Sequence, residues 1–274
     1  DLGGSIFADR DTAKARTFWL SSPLMAAIRL NRGSNLSWLA AAFIAAVFYG
    51  SVTKAAAQAF SDSLAAQHIF SSLAHASAQT LGAKSYLGIV MMIQMLLIMI
   101  YAAGAAGRMR EDEADGYLDN LLVRPISRWR WLGGRVSLAL GVILLAGLLT
   151  VAGLLIGTAG QNLGLSAHDL LLAGLNAVPP AVLVLGIGVF AMSVVPRLTT
   201  VIAYGVIAWS FLIQMVSSGI NLSHWVLDTS IFQHLALSPA ADVKWGNDLI
   251  MTAIGLSLCV LGGGIFNRRD LASE

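Results

Sequence analysis

Six apolar runs without a single Asp, Glu, Lys or Arg occupy nearly half of the chain, at residues 36–53, 86–107, 136–159, 170–195, 198–220 and 249–267. Each is close to the ~20 residues that cross the hydrocarbon of a bilayer as an α-helix. Lipid cannot hydrogen-bond exposed backbone, so only helices and closed barrels span it. Runs that are continuous, with no apolar-polar alternation, select helices. The composition agrees, with 57% hydrophobic and 12% charged residues, against roughly 45–50% and 25% in soluble domains. The sequence predicts an all-α polytopic membrane protein with six transmembrane helices.

Lys and Arg close to spans are retained in the cytoplasm. With six spans and both termini inside, the inner segments hold Arg10, Lys14, Arg16, Arg29 and Arg32, then Arg108, Arg110, Arg124, Arg128, Arg130 and Arg135, then Arg197, then Arg268 and Arg269. That is 14 of the 17 basic residues, and the outer loops keep Lys54, Lys84 and Lys244. One missed span would invert every later loop, so this division supports the helix count as well as the orientation. It gives a cytoplasmic N-terminal segment (1–35), a transmembrane domain (36–267) and a cytoplasmic tail (268–274). In the first of these, Ser22 and Pro23 open a helix as N-cap and N1 residues. Its Arg29 and Arg32 suit a short connecting helix lying along the inner leaflet.

Several function classes find no support. The single Cys259 lies within the sixth run, which leaves neither an intrachain disulfide nor a Cys-based zinc site. His68, His75, His168, His224 and His234 all fall outside the runs without ligand spacing, so no metal site is read. An intramembrane enzyme needs a base beside a nucleophile, and no His, Asp, Glu or Lys lies inside a run. The net charge of +2 reflects the asymmetry across the membrane, and nothing points to nucleic acid.

The one large charged island is Arg108 to Arg135, with six Arg and five acidic residues between two apolar runs. Carrying eleven charges into the bilayer at about 2.5–3.5 kcal/mol each would cost roughly 30 kcal/mol, so the island is not a missed span. From Glu111 to Val123 the spacing predicts a short amphipathic helix. Ala114, Leu118, Leu121 and Leu122 share one face, Glu111, Asp115 and Asp119 recur every four residues on another, and Pro125 ends it. A same-sign stripe repels itself, which fits solvent or a basic partner surface. Ser127-Arg128-Trp129-Arg130-Trp131 then alternates cation and indole, a combination suited to anchoring the next helix among lipid headgroups.

The run from Glu111 to Arg135, with its acidic residues, Gly116, Leu118-x-x-Leu121-Leu122 and Pro125-x-Ser127-Arg128, resembles the cytoplasmic segment after the second span of ABC-2 type exporter permeases. Within that family it is most similar to bacterial multidrug or polyketide-antibiotic exporters. Phe266-Asn-Arg-Arg-Asp-Leu271 and Ile231-Phe-Gln-His-Leu-Ala-Leu-Ser-Pro239 fit the same pattern. The resemblance implies a permease that moves amphipathic drugs or antibiotics out of the cell across the bacterial inner membrane. In it, residues 111–124 form a coupling helix that docks on a separate ATPase subunit, the subunit that binds ATP and Mg. The docking residues it implies are Glu111, Asp112, Glu113, Gly116, Leu118, Asp119, Leu121, Leu122, Arg124 and Pro125. This chain has no G-x-x-x-x-G-K-[ST] motif of its own to cradle nucleotide and holds no cofactor. In two-half members each half ends in a motif like Arg-Arg-Asp-Leu, and this chain begins Asp1-Leu2-Gly3, as after such a motif. The expectation is a C-terminal six-span half, paired with the N-terminal half of the same product or, in the rival reading, with a second copy.

The resemblance also places the substrate path along the second and fifth spans. These carry Met92, Gln94, Met95 and Met99, and Ser210, Gln214 and Ser217. Flexible, polarizable Met suits a promiscuous apolar pocket, and buried Gln must face protein or water. Ordinary helix packing would use the same residues. Gly153 and Gly157 form a GxxxG that marks close packing, and Pro179-Pro180 predicts a kink in the outer third of the fourth span. The stretch 221–246 is too apolar at Trp225, Val226, Ile231, Phe232 and Leu235 for a free loop, so it is expected to fold back as a re-entrant lid. A non-transporting scaffold or sensor would present the same bundle.

Overall fold

The computed structural model describes residues 22–62, 82–114, 127–217, 220 and 223–269. Six helical spans among them are long and apolar enough to cross a membrane. They are Pro23–Ser51, Ala83–Ala114, Arg128–Thr158, the pair Ala167–Asn176 with Val178–Val194, Thr199–Ser217, and Trp245–Arg268. A helix over Thr53–Asp62 follows the first span, and short turns at His224–Leu227 and Ile231–His234 precede the sixth.

Serine caps open three of these helices. The Ser22, Ser127 and Ser166 hydroxyls accept from the backbone N–H of Met25, Arg130 and Asp169 at 3.2, 3.3 and 3.0 Å, satisfying donors that a helix start leaves orphaned. The helix opened by Ser22 and Pro23 does not stop at the membrane surface, as a separate connecting helix would. It runs unbroken for 29 residues into the first span, because elongating an existing helix is easy and nothing between Arg29 and Leu36 breaks it. The fourth span departs in the other direction. It is interrupted at Ala177 instead of gently kinked, and the second piece carries Pro179 and Pro180 in its first turn, where a missing N–H costs nothing.

Close packing pairs the spans. An added Cβ at Gly153 would lie 2.7 Å from Ala46 Cβ, and one at Gly157 would lie 2.8 Å from Gly50 Cα, so the first and third spans touch backbone to backbone. Gln161 closes the end of this seam: its Nε2 donates to the carbonyls of Gly50 and Gly157 at 2.8 and 2.7 Å. A second seam joins the fourth and sixth spans, where a Cβ at Gly255 would lie 2.9 Å from Leu183 Cα and one at Gly262 3.1 Å from Phe190 Cα. Between the seams runs the second span, packed on the first, third, fourth and fifth. Its Leu87, Met91, Met95, Ile98 and Met99 are fully buried.

The GxxxG seam generates a stability prediction. Gly157→Val should lower the thermal stability of the detergent-solubilised protein by about 1–3 kcal/mol or more through overpacking. Gly205→Val, where a Cβ meets nothing within 4 Å, should leave it nearly unchanged. A fluorescence-detected melting series measures both.

Candidate functional site

Two assemblies stand at opposite ends of the second span. At the end away from the arginines, a cavity of about 270 Å³ is walled by Met92 and Met95 of the second span and Gln214 of the fifth. Its roof is the 231–244 segment, through Phe232, Gln233, Leu235, Ala236, Leu237, Ala241, Asp242 and Lys244. Hydrogen bonds to three spans hold the segment before the sixth span down. Asn176 Nδ2 donates to Ala236 O at 2.8 Å and Asn247 Nδ2 to His234 O at 2.8 Å. Ser210 binds twice: its carbonyl accepts from Ser230 Oγ at 3.0 Å and its hydroxyl from Ile231 N–H at 3.2 Å. Within the described part of 221–246, Ile231, Phe232 and Leu235 are buried. Trp225 is the exception, 86% exposed.

Of the seven residues expected along the path, the fold brings Met92, Met95 and Gln214 to one cavity. Gln94 points elsewhere, donating from Nε2 to Ala42 O of the first span at 3.0 Å. Met99 is sealed in the core. Ser210 anchors the roof, and the Ser217 hydroxyl turns back onto Gln214 O of its own helix at 3.0 Å. The roof itself and its tethers Asn176 and Asn247 were not singled out as site residues. For Asn176 the signal is a polar residue inside the charge-free run 170–195, whereas Asn247 precedes the run 249–267 and carries no such signal.

At the arginine-rich end, residues 111–114 continue the helix of the second span without a break over its last described turn. Gly116, Leu118, Asp119, Leu121, Leu122, Arg124 and Pro125 lie outside the described residues. Glu111 is exposed, whereas Glu113 is buried. The three acids therefore differ. Glu113 is ion-paired with Arg269 at the end of the sixth span, and Asp112 with Arg135 of the third at 2.6 Å. Arg135 stands over the Trp131 ring at 5.8 Å and Arg269 over the Phe266 ring at 5.7 Å. Those two rings stack on each other at 5.9 Å. The six side chains form a closed belt across the second, third and sixth spans. Arg269 extends it to the fourth span by donating from Nη1 to Met192 O at 3.0 Å. Trp131, expected among lipid headgroups, is 4% exposed and belongs to this belt, while Trp129 remains 43% exposed.

Residues 20–267 match the family described as multidrug efflux system permease Rv1217c, C-terminal domain. The chain belongs to this family. Along 273 residues, 99% of its length, it is 25% identical to the multidrug efflux system permease protein Rv1217c of Mycobacterium tuberculosis. It spans about half the length of that relative, 49%. The resemblance to the C-terminal half of an ABC-2 type exporter permease therefore holds. With six apolar spans, this permease domain is a multi-pass protein of the bacterial plasma membrane.

The belt separates residues that look alike in sequence. Removing one partner of a buried ion pair costs about 3–5 kcal/mol, so Glu113→Ala should depress the melting temperature sharply. Glu111→Ala, at an exposed position, should change stability by no more than about 0.5 kcal/mol. Exchanging the charges, Glu113→Arg with Arg269→Glu, should recover part of the loss in the same melting assay.

Proposed function

We propose that this domain is one six-span half of an ATP-driven exporter, and that it carries amphipathic small molecules out of the cell by alternating access. A separate ATPase, binding ATP and Mg, docks on residues 111–124. A second six-span half, from the same gene product or a second copy, completes the path, and membrane lipid surrounds both. The arginine-rich end faces the cytoplasm, as the retention of Lys and Arg requires.

The observation that carries this reading is the continuity of the second span. One unbroken helix holds Met92 and Met95 at the cavity and Glu113 in the belt. The 21 residues between Met92 and Glu113 correspond to about 32 Å at about 1.5 Å per residue. A push delivered beside Ala114 is therefore transmitted to the cavity wall as a rigid-body movement. Met92, Met95 and the apolar residues of the roof share the cavity lining with Gln214, Gln233, Asp242 and Lys244, a mixture that favours amphipathic ligands of varied shape over a single tightly specified one.

Two variants of the complete permease, reconstituted with its ATPase, test this. Met92→Trp fills the cavity and should abolish stimulation of ATP hydrolysis by an amphipathic dye while leaving basal hydrolysis in place. Leu121→Asp should prevent co-purification of the ATPase without altering the melting temperature of the permease. A wild-type complex that shows neither dye-stimulated hydrolysis nor ATP-dependent dye movement is a scaffold, and the transport reading fails.

A further inference from the structure

The fourth and sixth spans run parallel, and their glycine seam fixes a register. A Cβ on Gly255 would lie 2.9 Å from Leu183 Cα, and one on Gly262 3.1 Å from Phe190 Cα. These pairs are seven residues apart on both helices, and one more heptad toward the roof sets Asp248 against Asn176. The roof agrees with that register. Asn176 Nδ2 donates to Ala236 O, and Asn247, the neighbour of Asp248, donates to His234 O two residues away.

Asp248 is 3% exposed and Asn176 is fully buried. Neither carboxylate oxygen of Asp248, nor Asn176 Oδ1, has a hydrogen-bond partner among the described residues. Glu113, also buried, has Arg269, but no such cation from the described residues reaches Asp248. A carboxylate out of water without a counter-charge costs several kcal/mol, and an ionisable group at such a place calls for a partner.

The backbone supplies another oxygen. The first piece of the fourth span ends at Asn176, and the residues three and four places on are Pro179 and Pro180. Neither has an N–H to return to Asn176 O, so the piece ends in an orphan carbonyl where the helix dipole favours positive charge. Broken helices in transport proteins present such carbonyls to small cations. A carboxylate, an amide oxygen and a main-chain carbonyl are the donors of a hard cation. One negative charge balances a monovalent ion, and the described residues include no group of three His, Cys, Asp or Glu side chains for a more highly charged one.

We propose that Asp248 and Asn176 bind a monovalent alkali-metal cation between the fourth and sixth spans, beside the tethers of the roof. Asn176 then gives its amide nitrogen to the roof and its amide oxygen to the ion. The ion joins the two spans that carry Asn176 and Asn247, and so braces the roof from below. The site is separate from the cavity, whose described lining includes neither residue, and it does not rest on the exporter reading.

Equilibrium binding of radioactive Na+ and Rb+ to the purified complete permease tests the site, with melting curves in NaCl and in choline chloride at equal ionic strength. Saturable binding that unlabelled Na+ displaces and choline does not is expected, together with a higher melting temperature in NaCl. Asp248→Asn should weaken binding about tenfold or more and remove the effect of NaCl. In choline chloride the same variant should melt no lower than the wild type, because a neutral amide needs no counter-charge. Pro180→Ala, which returns an N–H to Asn176 O, should weaken binding without touching either side chain. Absence of saturable binding of both ions, or binding that survives both substitutions, overturns the proposal. So does a protonated-carboxyl infrared band that Na+ leaves unchanged and Asp248→Asn abolishes, since the site then holds a proton. Because the assay needs neither ATPase nor drug, its failure leaves the exporter reading standing, and the reverse holds as well.

Discussion

The pairing of Glu113 with Arg269 is the constraint on which the arginine-rich end depends. A buried carboxylate without a partner costs several kcal/mol, so the second span can end in a buried Glu only if a cation arrives from elsewhere. Arg269 arrives because the sixth span continues to Arg268 and places it beside Phe266, whose ring it covers. Once there, the same guanidinium donates to Met192 O near the end of the fourth span, where helix carbonyls lack partners and the dipole favours a positive charge. One side chain thus joins three spans. Asp112 with Arg135 repeats the arrangement toward the third span, and the stack of Trp131 on Phe266 closes the belt.

Elsewhere the spans are held by a different force. In lipid there is no hydrophobic drive between helices, so association comes from close packing of small residues. Glycine supplies it in both seams, at Gly50, Gly153 and Gly157 and at Gly186, Gly255 and Gly262. Backbone-to-backbone seams are rigid, since a close-packed interface tolerates little displacement. The second span combines both kinds of contact: Leu87, Met91, Met95, Ile98 and Met99 toward the cavity end, and small residues toward the belt, with Ala106 Cβ 2.5 Å from where a Cβ on Gly188 would stand. Long, mainly unbranched side chains can change rotamer and still fill the space. Residue type therefore marks two stiff glycine seams and, in the Met-bearing part of the second span, an adjustable stretch between them.

The spans, their number and the GxxxG seam were legible in the sequence because lipid imposes a simple code: about 20 uncharged residues, with small ones where helices touch. The ends were harder to read. Glu111, Asp112 and Glu113 are consecutive acids, and the tertiary partners Arg135 and Arg269 distinguish half-buried Asp112 and buried Glu113 from exposed Glu111. Trp131 had the flanking cations of a headgroup anchor, but helical geometry turns it inward while Trp129 faces out. On the second span Met92 and Met95 reach the cavity whereas Gln94 turns to the first span. Which face of a buried helix meets a cavity depends on its neighbours, and the sequence does not print them. Ser210, expected along the path, is not among the described lining of the cavity and instead holds the roof by bonding Ser230 and Ile231.

The distribution of tethers distinguishes the walls of the far cavity. Asn176, Ser210 and Asn247 hydrogen-bond the roof segment to the fourth, fifth and sixth spans. Toward the second span the roof makes a close packing contact, with Leu237 O 3.1 Å from where a Cβ on Gly88 would stand. Hydrogen bonds with fixed geometry resist displacement, whereas a glycine surface lets a neighbour slide. The opposite end of the same helix is fixed by charge to the third and sixth spans. The tip is held as well, but by other partners: Lys84 Nζ donates to Asp169 Oδ2 of the fourth span at 3.2 Å and Gln94 Nε2 to Ala42 O of the first at 3.0 Å. Met92 and Met95 face a roof whose hydrogen bonds run to the fourth, fifth and sixth spans, so the cavity boundary held by packing in place of hydrogen bonds is the one between the second span and the roof.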